Sequence, residues 1–430
     1  MRGRGISRAR FLAGAGAGAV GVAAVGASGA LLTAGRAEAR SRRGPAGLTY
    51  RGVSYEVIDG ETPATGWSAA RMREDIRVIK NDLHAGSVSV FGDGVDRLKA
   101  TSSEAAEQGL HVWLQPRLAD VSHQDILDHL AETGRHAEQL RRQGARVHLS
   151  VGAEFVLFVP GIVPGDNALE RVKNMLSGNF DPEKMVRRLR EFTARAAKVG
   201  RSVFKGRMTY GAAQDEEVDW GLFDLVSVNY YSYFPNKADY VRELTPFLRW
   251  GKPVVISEFG TCTFKGAPEQ GGMGWNVVDY DKDPPEIVGD LARSERTQAA
   301  YLTDLLDVFE SMNLYAALVY QFVTPDAPHR TNPRYDLDLA SYGVVKPIWK
   351  TFEDPTPHWH WEPKEAFRAL AQHYGRRIRA SAYEKAGEEI RGTWQTTGDK
   401  MSGTSLIAQY AVPPAEEGGE QGGEQGGGAG

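Results

Sequence analysis

Eight short apolar runs, separated by segments with a helical period, are the feature of this sequence that most limits its fold. The runs are Tyr50–Tyr55, Gly86–Phe91, His111–Gln115, Arg146–Val151, Gly206–Tyr210, Leu222–Tyr230, Pro253–Ser257 and Tyr315–Phe322. Strands that are apolar on both faces and alternate with helices are typical of a parallel sheet. Because eight such strands close into a barrel, the sequence predicts an α/β fold, a (β/α)8 TIM barrel; an open doubly wound sheet is the alternative.

Three of the segments between these runs carry helix signals of their own. Asp181 provides a cap and Pro182 a proline at the first helical position, and the predicted helix stops at Gly200. A second helix is predicted to begin at Ser68, and a third covers about Ser294–Met312. Each has a single apolar stripe, as expected of helices that cover the outside of a sheet.

The first 39 residues have the composition of an export signal. Four arginines precede a run rich in alanine, glycine and valine from Phe11 to Ala34, which is followed by Ala37-Glu38-Ala39. The segment Ser7–Leu12 resembles the twin-arginine export motif, although Ala9 separates its two arginines. We therefore predict a signal peptide and a secreted or extracytoplasmic protein. An uncleaved anchor is the alternative, but so many glycines and alanines make a poor membrane-spanning helix.

The rest of the chain divides by composition into a barrel and its flanking segments. The predicted parts are a linker (40–47), the barrel with its C-terminal completion (48–375), a C-terminal extension (376–412) and a disordered Gly/Glu/Gln tail (413–430). Two extended loops, 158–179 and 263–290, follow the fourth and seventh strands. Long loops at these places are expected to shape a binding cleft.

Charge and motif content exclude several classes of function. The formal charge of the chain is −4, and residues 1–39 hold five Arg and one Glu, so the remainder carries −8. This balance argues against binding to nucleic acid. Cys262 is the single cysteine, so no intramolecular disulfide forms, and we predict a buried, inert thiol. No phosphate-binding loop, zinc-protease motif or nucleophile-elbow serine is present, and we predict no cofactor and no metal.

Two glutamates stand directly beyond predicted strand ends. Glu154 follows the fourth strand and Glu258 the seventh. In barrels of this kind the functional groups lie at the carboxyl ends of the strands, so both side chains are expected at one rim. Enzymes that cleave glycosidic bonds typically use a pair of carboxyl groups on either side of the bond.

The segments around both glutamates resemble motifs of a known clan. Val151-Gly152-Ala153-Glu154-Phe155 and Ile256-Ser257-Glu258-Phe259-Gly260 resemble the strand-four and strand-seven motifs of the (β/α)8 retaining glycoside hydrolases. Arg51-Gly52-Val53 and Val228-Asn229-Tyr230-Tyr231 resemble first- and sixth-strand motifs of family 113 β-mannanases and related endo-glycanases. The resemblance covers roughly residues 48–325. It implies a hydrolase of β-linked oligo- or polysaccharides, with Glu154 as acid/base, Glu258 as nucleophile, and Tyr231 hydrogen-bonded to Glu258.

The chain also departs from that clan at two positions. Ala153 stands where the clan has an asparagine that contacts a sugar hydroxyl, and no tryptophan follows the eighth strand. Tyr320 or Phe322 would then have to serve as the sugar platform. These departures keep a second hypothesis open, in which a catalytically impaired barrel binds a glycan or a surface partner.

Further candidates for substrate contact lie in loops and at strand ends. Trp275, in a glycine-rich loop, is a candidate for stacking on a sugar ring. Asn229, Gln115, Arg117 and Glu56 lie at or just past strand ends and are candidates for contacts with hydroxyls. Sugar identity, linkage, endo or exo action and oligomeric state stay open at this point.

Overall fold

Eight parallel strands close into a barrel in the computed structural model, which describes residues 47–57, 67–350 and 359–376. The strands are β1 (Tyr50–Val57), β2 (Ser87–Gly92), β3 (His111–Pro116), β4 (Val147–Ala153), β5 (Met208–Ala213), β6 (Val226–Asn229), β7 (Val254–Phe259) and β8 (Ala316–Val319). They follow one another around the barrel in chain order, and β8 closes it by pairing with β1. The predicted (β/α)8 fold is confirmed, and the open doubly wound sheet is excluded.

Helices cover the outside of the barrel and fill its longer loops. They are α1 (Ala69–Asn81), α2 (Val95–Glu107), α3 (His123–Arg142), α4 (Phe155–Phe158), α5 (Ala168–Leu176), α6 (Pro182–Val203), α7 (Lys237–Leu244) and α8 (Glu295–Ser311), and residues 365–376 are also helical. Short 3-10 turns occupy Trp220–Leu222, Thr245–Trp250, Pro268–Met273, Pro333–Tyr335 and Leu337–Ala340. Two small antiparallel pairs join Val278–Asp279 to Glu286–Ile287 and Val345–Ile348 to His360–Pro363.

The capping signals in the sequence act as expected at the three predicted helix starts. The side chains of Ser68, Asp181 and Ser294 each accept a hydrogen bond from a backbone N–H in the first turn. Gly200, in contrast, does not end α6, which continues to Val203. A Cβ at Gly200 would lie 2.9 Å from the Met208 sulfur. This glycine therefore allows the helix to approach the barrel closely, and the predicted stop at this position is wrong.

A buried ionic network ties the loop after β7 to the C-terminal part of the barrel. Lys364 contacts the Asp338 carboxylate at 2.8 Å and donates a hydrogen bond to the Thr263 hydroxyl at 2.9 Å. Arg293 pairs with the carboxylates of Asp336 and Asp338 at 3.1 and 2.9 Å. Lys364 and Asp338 are fully buried, and their contacts with Thr263 and Arg293 connect the loop that follows Glu258 to the C-terminal part of the barrel.

Four predicted segments lie wholly or almost wholly outside the residues that the structure describes. These are the signal peptide (1–39), the linker (40–47) except residue 47, the C-terminal extension beyond residue 376, and the tail (413–430). Within the described ranges, no helix has the length and apolar character needed to cross a bilayer.

Two histidines pack face to edge at the amino-terminal end of the barrel. His111 Nε2 lies 3.2 Å from His148 Nδ1, and His148 Nε2 lies 3.1 Å from the Tyr315 hydroxyl. Tyr50 stacks on the His111 ring at 3.9 Å. Burial lowers the pKa of His148 to about 4 and that of His111 to about 2, with the neighbouring His148 contributing to the second shift. Both rings are therefore neutral in the folded protein at neutral pH.

This histidine pair is expected to make the fold sensitive to mild acid. In the unfolded chain both residues protonate near pH 6.5, so below that pH the unfolded state binds more protons and stability falls as the pH falls. At pH 5 the loss is about 2 kcal/mol for each histidine. We expect His148→Gln to reduce the difference in unfolding free energy between pH 7 and pH 5, measured by denaturant titration. The exposed His360→Gln is the control, and an unchanged difference in His148→Gln would contradict the assignment.

Candidate active site

The carboxyl ends of β4, β6 and β7 bring Glu154, Asn229 and Glu258 together. Asn229 is the last residue of β6 and lies opposite Glu258 in the register with β7. Its amide Nδ2 donates a hydrogen bond to Glu154 Oε1 at 3.1 Å, and its Oδ1 accepts one from the Ser257 hydroxyl at 2.7 Å. Asn229 therefore contacts both Glu154 and the residue before Glu258, although two strands, β5 and β6, separate the two glutamates in the chain.

Both carboxylate oxygens of Glu258 are held by donors. Arg117 Nη2 donates to Oε1 in a buried ion pair, and the Tyr231 hydroxyl donates to Oε2 at 3.0 Å. The side chain is only 5% exposed, so these contacts are shielded from bulk water. A cation and a hydroxyl donor on one carboxylate fix its direction. A carboxylate nucleophile must be aimed in this way at the carbon that it attacks.

Arg117 is itself enclosed by aromatic rings. Its guanidinium lies 4.4 Å from the centre of the Phe91 ring and 5.5 Å from that of Phe158. Burial alone would lower the pKa of Arg117, but the negative charges around it, led by that of Glu258, outweigh this effect and raise it. The guanidinium thus stays charged, and in the structure it contacts the Glu258 carboxylate.

Glu154 sits in a different environment from Glu258. It follows β4 in a left-handed backbone conformation (φ 42°, ψ 54°) and is 1% exposed. Burial raises the pKa of Glu154 well above its usual value, and the charge of Glu258 raises it further, while Arg117 and the Asn229 hydrogen bond act in the opposite direction. A buried carboxyl with a raised pKa beside a second carboxyl in a buried ion pair is an arrangement typical of an acid and a nucleophile.

Aromatic side chains form a second cluster around this rim, distinct from the main core. It contains Tyr231, Tyr320, Trp275 and Phe91 together with Tyr342 and Cys262. Tyr320 lies 5.8 Å from Phe91 and 6.5 Å from Tyr231 between ring centres. Trp275 and Tyr320 thus lie in the same cluster as Tyr231, whose hydroxyl contacts Glu258. Burial raises the pKa of the Cys262 thiol, so this thiol is neutral and buried.

The remaining sequence-predicted residues are distributed differently. Phe322 is fully buried and packs against Tyr55 and Trp361 in the main core, so the structure does not bring it to the glutamates. Gln115 is at the rim, where its Oε1 lies 3.4 Å from the position a Cβ would take at Gly211. That same position is 3.0 Å from the Ala153 Cβ and 3.5 Å from Asn229 Oδ1, so Gln115, Ala153 and Asn229 all lie close to Gly211 of β5.

Glu56, at the end of β1, lies opposite Phe91 in the register with β2. Its Oε1 is buried and has no hydrogen-bond partner within the part of the chain that the structure describes. Burial raises the pKa of Glu56 well above its usual value, while Arg117 acts in the opposite direction. Glu56 therefore lies at the rim with a buried carboxyl oxygen that no described side chain or backbone group binds.

The sequence patterns do not single out Tyr210, which lies within β5, or Glu216, which lies in the loop after it. The Tyr210 hydroxyl donates to Glu216 Oε2 at 2.8 Å and accepts from the Phe155 backbone N–H at 2.7 Å. The available signal was an acidic stretch, Asp215-Glu216-Glu217, just beyond a predicted strand. Because β5 carried no recognised motif, that stretch received no role.

No known protein family and no curated protein matches the sequence. Solved structures of similar fold include a GH113 β-1,4-mannanase, 16% identical, which covers 76% of this chain and 99% of its own with a TM-score of 0.48. The GH113 β-mannanase of Alicyclobacillus acidocaldarius is 13% identical and covers 76% and 97%, with a TM-score of 0.49. A β-glycosidase from Pyrococcus horikoshii is 12% identical and covers 76% and 93%, with a TM-score of 0.41. These likenesses concern the fold alone.

Proposed function

We propose that this protein is an exported glycoside hydrolase that cleaves β-linked oligo- or polysaccharides with retention of configuration. The observation that carries the proposal is the meeting of Glu154 and Glu258 at one rim through Asn229. The unequal environments of the two carboxyl groups support Glu258 as nucleophile and Glu154 as acid/base, since Arg117 and Tyr231 bind both oxygens of Glu258 and burial raises the pKa of Glu154.

In the first step Glu258 attacks the anomeric carbon while Glu154 gives its proton to the glycosidic oxygen. The bond between that carbon and oxygen breaks, the leaving sugar departs as an alcohol, and an ester to Glu258 forms. In the second step Glu154, now ionised, takes a proton from water, whose oxygen attacks the same carbon. The ester breaks, Glu258 leaves as a carboxylate, and Glu154 regains its proton. Two inversions at one carbon give net retention.

Arg117 and Tyr231 would contribute at both steps. Their hydrogen bonds direct the Glu258 oxygens before attack and stabilise the carboxylate that forms when the ester breaks. Tyr320 and Trp275 belong to the aromatic cluster that includes Tyr231, and we propose that their rings contact the apolar faces of sugar rings. The same rim thus carries the proposed catalytic groups and the proposed contacts with the sugar.

A second candidate function is glycan binding without turnover. The observation that favours it is the low exposure of the pair, 1% for Glu154 and 5% for Glu258, together with the occupation of both Glu258 oxygens. Ala153 also lacks the amide that the glycosidase clan offers to a sugar hydroxyl at this position.

One assay separates the two candidates. We expect the purified full chain to release reducing ends from at least one of β-mannan, β-glucan and xylan, and the first product seen by proton NMR to be the β-anomer. An α-anomer formed first would contradict retention. Binding to a glycan with no release of reducing ends would support the second candidate.

A further inference from the structure

Tyr210 and Glu216 form a buried pair behind the segment that carries Glu154. Tyr210 lies on β5 and is fully buried. Its hydroxyl donates a hydrogen bond to Glu216 Oε2 at 2.8 Å and accepts one from the backbone N–H of Phe155 at 2.7 Å. The residue directly after Glu154 is therefore attached to β5 through a single phenol oxygen.

Glu216 makes the same kind of contact one residue further along the chain. Its Oε1 accepts from the backbone N–H of Val156 at 3.3 Å, and its Oε2 accepts from that of Ala213 at 3.0 Å. On the other side of the acid, the backbone N–H of Glu154 itself donates to Gly211 O at 2.9 Å. Residues 154–156 are thus fixed at three consecutive N–H groups by β5 and the loop that follows it.

The local backbone explains why such a support is needed. Glu154 has φ 42° and ψ 54°, a left-handed conformation that is unfavourable for a residue with a side chain. The helix that follows, α4, has a single turn, so its first N–H groups have no partner within the helix. Without Tyr210 and Glu216 these donors would be buried and unsatisfied, and the chain would favour another direction for Glu154.

We propose that Tyr210 and Glu216 are positioning residues that aim the Glu154 carboxyl at the leaving-group oxygen. Neither residue is assigned contact with substrate, and both act through the backbone of residues 154–156. The inference rests on the proposed function, because it takes Glu154 as the proton donor. A displacement of about 1 Å at a catalytic group can cost about 10²-fold in rate, so a support of this kind has a measurable effect.

Glu216 is also coupled to Glu154 by charge. Burial raises the pKa of Glu216 to about 8, against the hydrogen bonds from Tyr210 and two backbone N–H groups, and Asp215 in the same loop adds to the increase. The groups that face it are Tyr210 from β5, Asp215, and Glu154 at the end of β4. Glu216 ionises only near pH 8, so its charge raises the pKa of Glu154 in the alkaline range, and in that range removing the charge is expected to lower the pKa of Glu154.

The experiment compares Tyr210→Phe and Glu216→Gln with the parent on two aryl β-glycosides of the sugar that the parent hydrolyses. Phenol is a poor leaving group and needs the proton from Glu154, whereas 2,4-dinitrophenol leaves without it. We expect kcat/KM of Tyr210→Phe to fall by about 10- to 100-fold on the phenyl glycoside and by less than about threefold on the dinitrophenyl glycoside. We also expect the alkaline limb of the Glu216→Gln profile to move to lower pH.

Tyr240→Phe is the matched control. Its hydroxyl likewise accepts a backbone N–H, that of Phe234 at 2.9 Å, in the loop after β6. This variant is expected to show no dependence on the leaving group. Equal losses on both glycosides in Tyr210→Phe, or no loss on either, would overturn the positioning role.

A second measurement tests the inference without turnover. The Glu154 carboxyl is followed by carbon NMR during a pH titration and assigned with Glu154→Gln. We expect its titration to move to lower pH in Glu216→Gln. A titration that is unmoved in both Tyr210→Phe and Glu216→Gln overturns the inference. A parent that hydrolyses no glycoside while this titration moves would refute the proposed function and leave the coupling of Glu216 to Glu154 standing.

Discussion

Glu258→Ala is expected to lower kcat/KM by at least about 10⁴-fold on any glycoside that the parent hydrolyses, because it removes the attacking atom. The change also leaves the buried Arg117 without its carboxylate, which can destabilise a fold by about 3–5 kcal/mol. Glu258→Gln is therefore measured beside it, since glutamine keeps the shape of the side chain and an oxygen for the Tyr231 hydroxyl. Rates are compared only between variants shown to be folded by thermal unfolding.

A small anion provides a sharper test of the same assignment. In Glu258→Ala, azide can enter the space left by the carboxylate and attack the anomeric carbon from the same side. A single inversion then gives an α-glycosyl azide, which proton NMR identifies. The control is Glu217→Ala, at a surface glutamate that pairs with Arg190 at 2.7 Å, and we expect parental activity from it. Parental activity in Glu258→Ala would contradict its role as nucleophile.

Glu154→Ala is expected to show a loss that depends on the leaving group. On oligosaccharides, whose leaving alcohol needs a proton, we expect kcat/KM to fall by about 10²- to 10⁴-fold. On a dinitrophenyl glycoside the first step needs no proton, so the ester to Glu258 forms and its hydrolysis becomes slow because the base is missing. The alkaline limb of the pH profile, which reports the high pKa of Glu154, is expected to disappear.

Azide again separates acid/base chemistry from a structural effect. In Glu154→Ala it attacks the ester to Glu258 without needing a base, so turnover rises and the product is a β-glycosyl azide with retained configuration. Formation of an α-glycosyl azide would instead indicate that Glu154 is the nucleophile and Glu258 the acid/base. Equal losses on oligosaccharide and dinitrophenyl glycoside, with no response to azide, would indicate that Glu154 has a structural role.

The barrel could be predicted from the sequence because its signals are local. Each strand is a short apolar run, and the three helix starts carry side-chain caps that form as expected. The placement of Glu154 and Glu258 at one rim follows from the order of the strands alone, because parallel barrel strands end on the same side.

The contacts of the site could not be predicted in the same way. Arg117 and Glu258 are 141 positions apart, and Asn229 and Glu154 are 75 apart, so their meeting depends on barrel closure and strand register. The register between β6 and β7 shifts at Asn229, and this irregularity has no sequence signature. Phe322 shows the same limit, because a residue just past a strand end can point into the core as readily as toward the rim.

Gly200 and Tyr210 show two further limits of local patterns. A glycine late in a helical stretch is a typical stop signal, yet here it serves the close packing of α6 on the barrel. Tyr210 reads as an ordinary strand residue, and only the folded chain shows that its hydroxyl holds the backbone after Glu154. Both roles depend on contacts that form only in the folded chain, that of Gly200 with Met208 and that of Tyr210 with the Phe155 backbone.

The central claim is that Glu154 and Glu258 act on one anomeric carbon, and trapping the covalent intermediate tests it most directly. A 2-deoxy-2-fluoro-β-glycosyl fluoride of the hydrolysed sugar slows both steps but keeps a leaving group that departs readily, so the ester accumulates. After incubation with the full chain, peptide mass spectrometry is expected to place the fluorosugar on Glu258, with turnover of the label slowed further in Glu154→Ala. A label on another carboxylate, or no label together with an α-configured first product, would contradict the account.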